Sequence, residues 1–153
     1  MKKFELTSEF VTFLGKKLFR IKALISFGNV EEGELGGYVE KEENLSNDGN
    51  AWVSGDARVS GDARVSGDAR VYGNARVYGD ADYATVQGFG SEYRTTTFFR
   101  TKAGDIGVRC GCFYGTLDDF RKKAKETHGD SKTAKEYLMV ADLMEFRFSE
   151  EEV

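Results

Sequence analysis

Over residues 53–82 a valine recurs every six positions and an alanine follows each valine by four: VSGDAR, VSGDAR, VSGDAR, VYGNAR, VYGDAD. The phase runs back through Gly49-Asn50-Ala51-Trp52, with Trp52 in the arginine slot, and fades forward from Tyr83 to Gly88. A period of six fits neither an α-helix nor a plain meander. Strand alternation turns Ala57 and Val59 to one face. The Gly-Asp or Gly-Asn pair between apolar positions supplies a corner that needs unusual backbone angles. Each six therefore predicts a short strand plus a bend, and three sixes make a triangular coil of about eighteen residues that buries a shared core. Coils stack about 4.8 Å apart. Val53 then lies under Val71, Val59 under Val77, Trp52 under Arg70, Arg58 under Arg76 and Arg64 under Asp82. Val39 and Leu45 are six apart and open the first coil; the spacing slips by two before Val53, which predicts a longer corner at Asn47-Asp48-Gly49.

The flanks follow other periods. Residues 10–14 (FVTFL) and 18–24 (LFRIKAL) are strand-like, and Gly15-Lys16-Lys17 between them predicts a hairpin that covers the open end of the first coil. Residues 93–101 are rich in Thr, Phe and Tyr, Ala103-Gly104-Asp105 reads as a turn, and residues 106–110 return as a second strand. Thr116-Leu117-Asp118-Asp119 resembles a capping box with Asp in the Glu position. Leu117, Phe120 and Ala124 share a helical face, His128-Gly129 ends that helix, and Ser131 caps a second helix with a broad apolar stripe of Ala134, Tyr137, Leu138, Ala141, Leu143 and Met144.

The five sixes resemble the hexapeptide repeat of left-handed parallel β-helix proteins: an aliphatic residue, a small residue four later, turn formers between. The left hand is implied by that resemblance and opposes the usual crossover rule. The run Leu35-Gly36-Gly37-Tyr38-Val39-Glu40, with Asn44-Leu45-Ser46, is similar to β-helix proteins of phages and prophages. The tract Cys110-Gly111-Cys112-Phe113, with Gly115-Thr116-Leu117 and His128-Gly129, resembles a tail module of phage proteins. The expected architecture is mainly β. It comprises an N-terminal β-hairpin cap over residues 1–34, a short left-handed β-helix over 35–88, and a C-terminal ββαα module over 89–153.

Composition adds constraints. The chain has 153 residues, net charge −4, 18 glycines and no proline. The acidic balance disfavours nonspecific nucleic-acid binding. The Met-Lys-Lys start lacks an apolar run typical of a signal peptide, no stretch approaches membrane-spanning length, and the 2 cysteines make no disulfide framework. A cytoplasmic location in a bacterial host cell is expected, with no membrane partner.

Candidate chemistry is sparse. Hexapeptide-repeat acyltransferases use a histidine on the β-helix as general base; the single histidine, His128, lies outside the repeats, so no catalytic residue is expected. Cys110, Cys112 and His128 supply three soft ligands without a clear fourth, a weak metal site, and no cofactor is expected. The nonrepeating segment gathers Arg94, Arg100, Lys102 and Arg109 beside Tyr93, Phe98, Phe99, Phe113 and Tyr114. Basic and aromatic residues together suit a protein hot spot and also single-stranded nucleic acid or a nucleotide, so Arg94, Arg100, Lys102 and Arg109 with Phe99 are the expected partner-binding residues. The flat sides of the coil carry Ser, Tyr and Arg rather than Lys-rich repulsive faces, which favours a homo-oligomer with Tyr72 or Tyr78 at the contact, and the resemblance to hexapeptide-repeat proteins implies a trimer. The expected function is a non-catalytic, phage-type binding or scaffold protein that binds a host protein, with inhibition of a bacterial defence system as its purpose. The alternatives are a transferase-like enzyme and a sponge for a small anionic ligand or nucleotide held between subunits.

Overall fold

The computed structural model describes residues 2–89, 94–111 and 113–149. Strands β1 (Phe4–Phe13) and β2 (Lys16–Ala23) form the N-terminal hairpin. Its turn is tighter than the sequence suggested. Phe13 pairs with Lys16 across Leu14 and Gly15, both at positive φ (50° and 78°), the geometry of a two-residue hairpin turn.

Strand β3 (Leu35–Val39) and the short strands β4 (Trp52–Val53), β5 (Arg58–Val59), β6 (Arg70–Val71) and β7 (Arg76–Val77) belong to the repeats. Three parallel ladders run through them: Val39, Val59 and Val77; Leu45 and Val65; Val53 and Val71. The chain visits these ladders in rotation, the pairing pattern of a β-solenoid. Every valine in them is 0% exposed and Leu45 only 2%. Burying each such side chain is worth about 1.5–3 kcal/mol. The alanines Ala57, Ala63, Ala69 and Ala75 sit at 0–1% beside them, because a larger side chain would overfill the narrow coil. The corners fall on Gly55, Gly61, Gly67 and Gly73, all with φ between 64° and 67°, a region that favours glycine.

The slip in spacing is real. Partners in the first coil are offset by two more residues than Val53 and Val71. Buried Asn44 stabilises this irregular side: its amide donates to the carbonyls of Ala63 (2.8 Å) and Gly61 (3.2 Å), and its Oδ1 accepts from the backbone of Glu40 and Lys41. Gly49, at φ 71°, makes the longer corner.

The hairpin joins the first ladder: β2 pairs antiparallel with β3, giving the sheet order β1-β2-β3-β5-β7. Phe4, Ile21 and Ala23 complete the solenoid core. Trp52 and Arg70 are register partners as expected, but Trp52 packs edge-on against Phe27 at 5.4 Å.

The C-terminal part is larger than a hairpin and two helices. Strands β8 (Tyr83–Phe89), β9 (Arg94–Arg100), β10 (Ile106–Cys110) and β11 (Phe113–Thr116) form one antiparallel sheet in the order β11-β10-β9-β8. Residues 83–88, expected to continue the repeats, are its edge strand. The expected link at residues 87–91 begins inside that strand and runs into residues outside the described set. Helices α1 (Leu117–His128) and α2 (Lys132–Phe148) cover one face of this sheet through Phe98, Val108, Phe120, Val140, Ala141, Met144 and Phe148. The other face sits over the last coil: Phe99 enters the solenoid core, Thr101 bridges Ala75, and the Lys102 amide donates to the Asn74 carbonyl. No helix among the described residues is long and apolar enough to cross a membrane.

Candidate functional site

The four cations expected to act together are divided by the sheet. Arg94 and Arg100 stand at opposite ends of β9 on the same face, six residues and therefore about 20 Å apart. Arg109 pairs across from Thr97 on the other face. Its guanidinium lies 4.5 Å over the Tyr72 ring and its Nε donates to the Gly111 carbonyl. Phe99 is 0% exposed, so it cannot contribute to a binding surface: alternation turns Phe98 to the helices and Phe99 to the solenoid, and both are consumed by cores. Tyr93 lies outside the described residues.

Arg100 and Lys102 do meet other cations. Together with Arg58 and Arg76 they line a groove of about 410 Å³ where the last coils meet the end of β9. Arg58 and Arg76 are ladder partners in adjacent coils. Arg76 donates through Nη1 to the Asp56 and Ala75 carbonyls at 2.9 Å. Burial, and then the neighbouring Arg58 charge, push the Arg76 guanidinium below its ordinary value. Arg58 Nε is buried without a hydrogen-bond partner among the described residues. Asp82, the carboxylate among the lining residues, is committed: it accepts from Arg100 Nε and from the Tyr78 amide, both at 2.9 Å. Arg100 also donates to the Phe148 carbonyl and covers the Phe148 ring. Phe13 and Tyr78 stack at 4.6 Å on the groove wall. Tyr78 is thereby covered by its own hairpin, and Tyr72 lies between Arg109 and Tyr114; both expected oligomer contacts are engaged within one chain.

Cys110 and His128 border one cavity of about 140 Å³, with Tyr137 against both. Cys110 Sγ accepts from Thr96 Oγ1 at 3.2 Å, and burial followed by the neighbouring Cys110 raises the Tyr137 phenol. Cys112 lies outside the described residues. Among the described residues no group of three His, Cys, Asp or Glu side chains could hold a metal ion.

A second surface was not read from the sequence. Helix α2 is apolar on two sides. Val140, Ala141, Met144 and Phe148 are buried, while Met139, Leu143 and Phe146 are 71%, 56% and 66% exposed. Those three fall at i, i+4 and i+7, a continuous stripe. Leu143, expected in the core, instead borders a groove of about 1020 Å³ between α2 and β8, with Phe146, Ala84, Val86 and Arg147. Among the described residues strand β8 is one of the two edges of its sheet, β11 being the other, and it carries no charge and no proline (YATVQGF), so it lacks the usual protection of an edge. The signal was an α2 stripe too wide for one buried face; the open strand beside it was hidden by the fading repeat.

Comparison with protein families matches residues 51–67, 57–71 and 69–81 to the YdcK beta solenoid repeat. The match covers the regular repeats and supports a β-solenoid type. No curated protein matches the chain.

Proposed function

We propose that this chain is a non-catalytic binding protein, in which a rigid solenoid displays a C-terminal sheet-and-helix layer to a protein partner. The observation that carries this reading is the exposed Met139, Leu143 and Phe146 stripe beside the open β8 edge. Exposed apolar residues in a continuous row mark an interaction surface. An open strand edge presents unpaired N–H and C=O groups to an incoming strand. The occupant is an extended segment of another protein. It adds to β8, places alternate apolar residues against Leu143 and Phe146, and turns a carboxylate to Arg147, the charged residue lining this groove. A coil with the left hand of its hexapeptide relatives, assembly as a homotrimer, and a phage protein acting on a host factor in the bacterial cytoplasm, as an inhibitor of host defence, complete the proposal. These elements rest on the resemblance of the repeats and of the Leu35–Val39 and Cys110-Gly111-Cys112-Phe113 tracts.

The test is affinity capture from bacterial lysate with three folded baits: wild type, Leu143→Asp/Phe146→Asp, and Lys102→Gln. A protein retained in stoichiometric amount by wild type and Lys102→Gln, and lost by the double variant, supports the reading. The same set of proteins on all three baits contradicts it.

A further inference from the structure

The groove between the last coils and the end of β9 uses none of the residues of the α2 and β8 surface. It places four cations, Arg58, Arg76, Arg100 and Lys102, around one carboxylate, Asp82. Like charges gathered at a half-buried site cost free energy unless an anion offsets them. Asp82 does not fill that role for the whole cluster, because its oxygens are taken by Arg100 and the Tyr78 amide. Among the described residues the hydrogen bonds of Arg76 go to backbone carbonyls, with the Asp56 charge nearby, and Arg58 Nε has no acceptor. Lys102 is exposed at the rim and pairs with no carboxylate among the described residues. Purely structural roles do not account for this arrangement: a solvated arginine ladder would leave its Nε groups in water, and a packing ladder would pair them.

We propose that this groove is a binding site for a phosphate-bearing small molecule, with Arg58, Arg76 and Lys102 donating to the phosphate oxygens. Arginine forks match the oxygens of a phosphate in pairs. Arg100, fixed by Asp82 and Phe148, positions the rim. Four cations stand against Asp82 in the groove, with Asp56 also acting on Arg76, and the positive charge left over is one that a phosphate dianion offsets better than a single carboxylate does. The groove, at about 410 Å³, has the size of a small-molecule site. The stacked Phe13 and Tyr78 rings on its wall offer an apolar flank to an organic body. A net charge of −4 over the chain opposes a long polyanion, so a compact ligand is favoured over nucleic acid.

The inference is tested by isothermal titration at constant ionic strength with inorganic phosphate, adenosine 5′-monophosphate, adenosine and a thymidine oligonucleotide as probes. Wild type is expected to bind phosphate or the nucleotide and not adenosine. Lys102→Gln, a solvent-exposed change that leaves the fold intact, should weaken that binding about tenfold, the size of one lost charge-assisted contact. Lys125→Gln on α1 should not change it. Equal affinity for phosphate and the nucleotide identifies free phosphate as the ligand; tighter nucleotide binding identifies an organic phosphate. No heat from either anion, equal affinities in Lys102→Gln and Lys125→Gln, or binding of the oligonucleotide alone would overturn the proposal. The Leu143→Asp/Phe146→Asp variant should retain anion binding, so failure of the partner-binding reading leaves this result untouched.

Discussion

Val65 and Ser66 are adjacent and face opposite ways: Val65 is 0% exposed in the solenoid core, and Ser66 points to solvent. Val65→Asp places a carboxylate among Leu45 and its alanine neighbours and is expected to cost several kcal/mol. Ser66→Asp should change the melting temperature little. Thermal melts of the two variants check the register, and equal losses would contradict it. Lys3 is a cation placed inside the fold. Its side chain is buried at 1% exposure, with Nζ donating to the Ala51 carbonyl at 2.7 Å and lying 4.7 Å from the Phe27 ring. Burial, opposed in part by Asp48, lowers its pKa from 10.5 to about 8. Between those values the unfolded chain holds more protons than the folded one, so stability rises with pH. The cost of the buried charge is fully present below about pH 8 and is relieved toward 10.5. The stability of wild type relative to Lys3→Met should therefore rise by about 1–2 kcal/mol across that window in denaturant titrations. A flat difference would mean that Lys3 is solvated. Neither the burial of Lys3 nor that of Asn44 was legible in the sequence, because each depends on carbonyls brought from a neighbouring coil or corner.

Individual elements were legible where local chemistry sets them. The α1 start follows from side chains three residues apart: Thr116 Oγ1 accepts from the Asp119 amide at 3.2 Å, and Asp119 Oδ2 accepts from the Thr116 amide at 3.0 Å. Thr116→Ala should cost about 1 kcal/mol, measured by chemical denaturation; an unchanged midpoint would contradict a stabilising role for this cap. Ser131 caps α2 in the same way, accepting from the Ala134 amide at 3.2 Å. The β9 and β10 hairpin and the end of α1 at Gly129 also stand where their turn residues indicated. Elements defined by tertiary partners were not legible. Strand β8 looks like the tail of the repeat because Tyr83 follows the hexapeptide phase, yet its partners run from Phe99 back to Arg94 of β9. Strand β11 is only four residues long and exists because β10 lies beside it.

At the scale of the whole molecule, the solenoid was legible because its signal repeats: the valines recur at six, and Val53 with Val71 and Val59 with Val77 also stand eighteen positions apart. The basic groove was not, since nothing in the spacing brings Arg58 and Arg76 to Arg100 and Lys102. The Ala75–Thr101 bridge does that. Light scattering at micromolar concentration should give three times the 17.1 kDa of one chain, and a clean single-chain species would contradict the proposed trimer. The central claim is that the α2 and β8 surface binds a protein segment, and it is tested most directly by titrating the captured partner into wild type and into Phe146→Asp. A charge placed in the centre of an apolar interface should weaken binding on the order of a hundredfold or more. Equal dissociation constants for the two proteins would contradict the account.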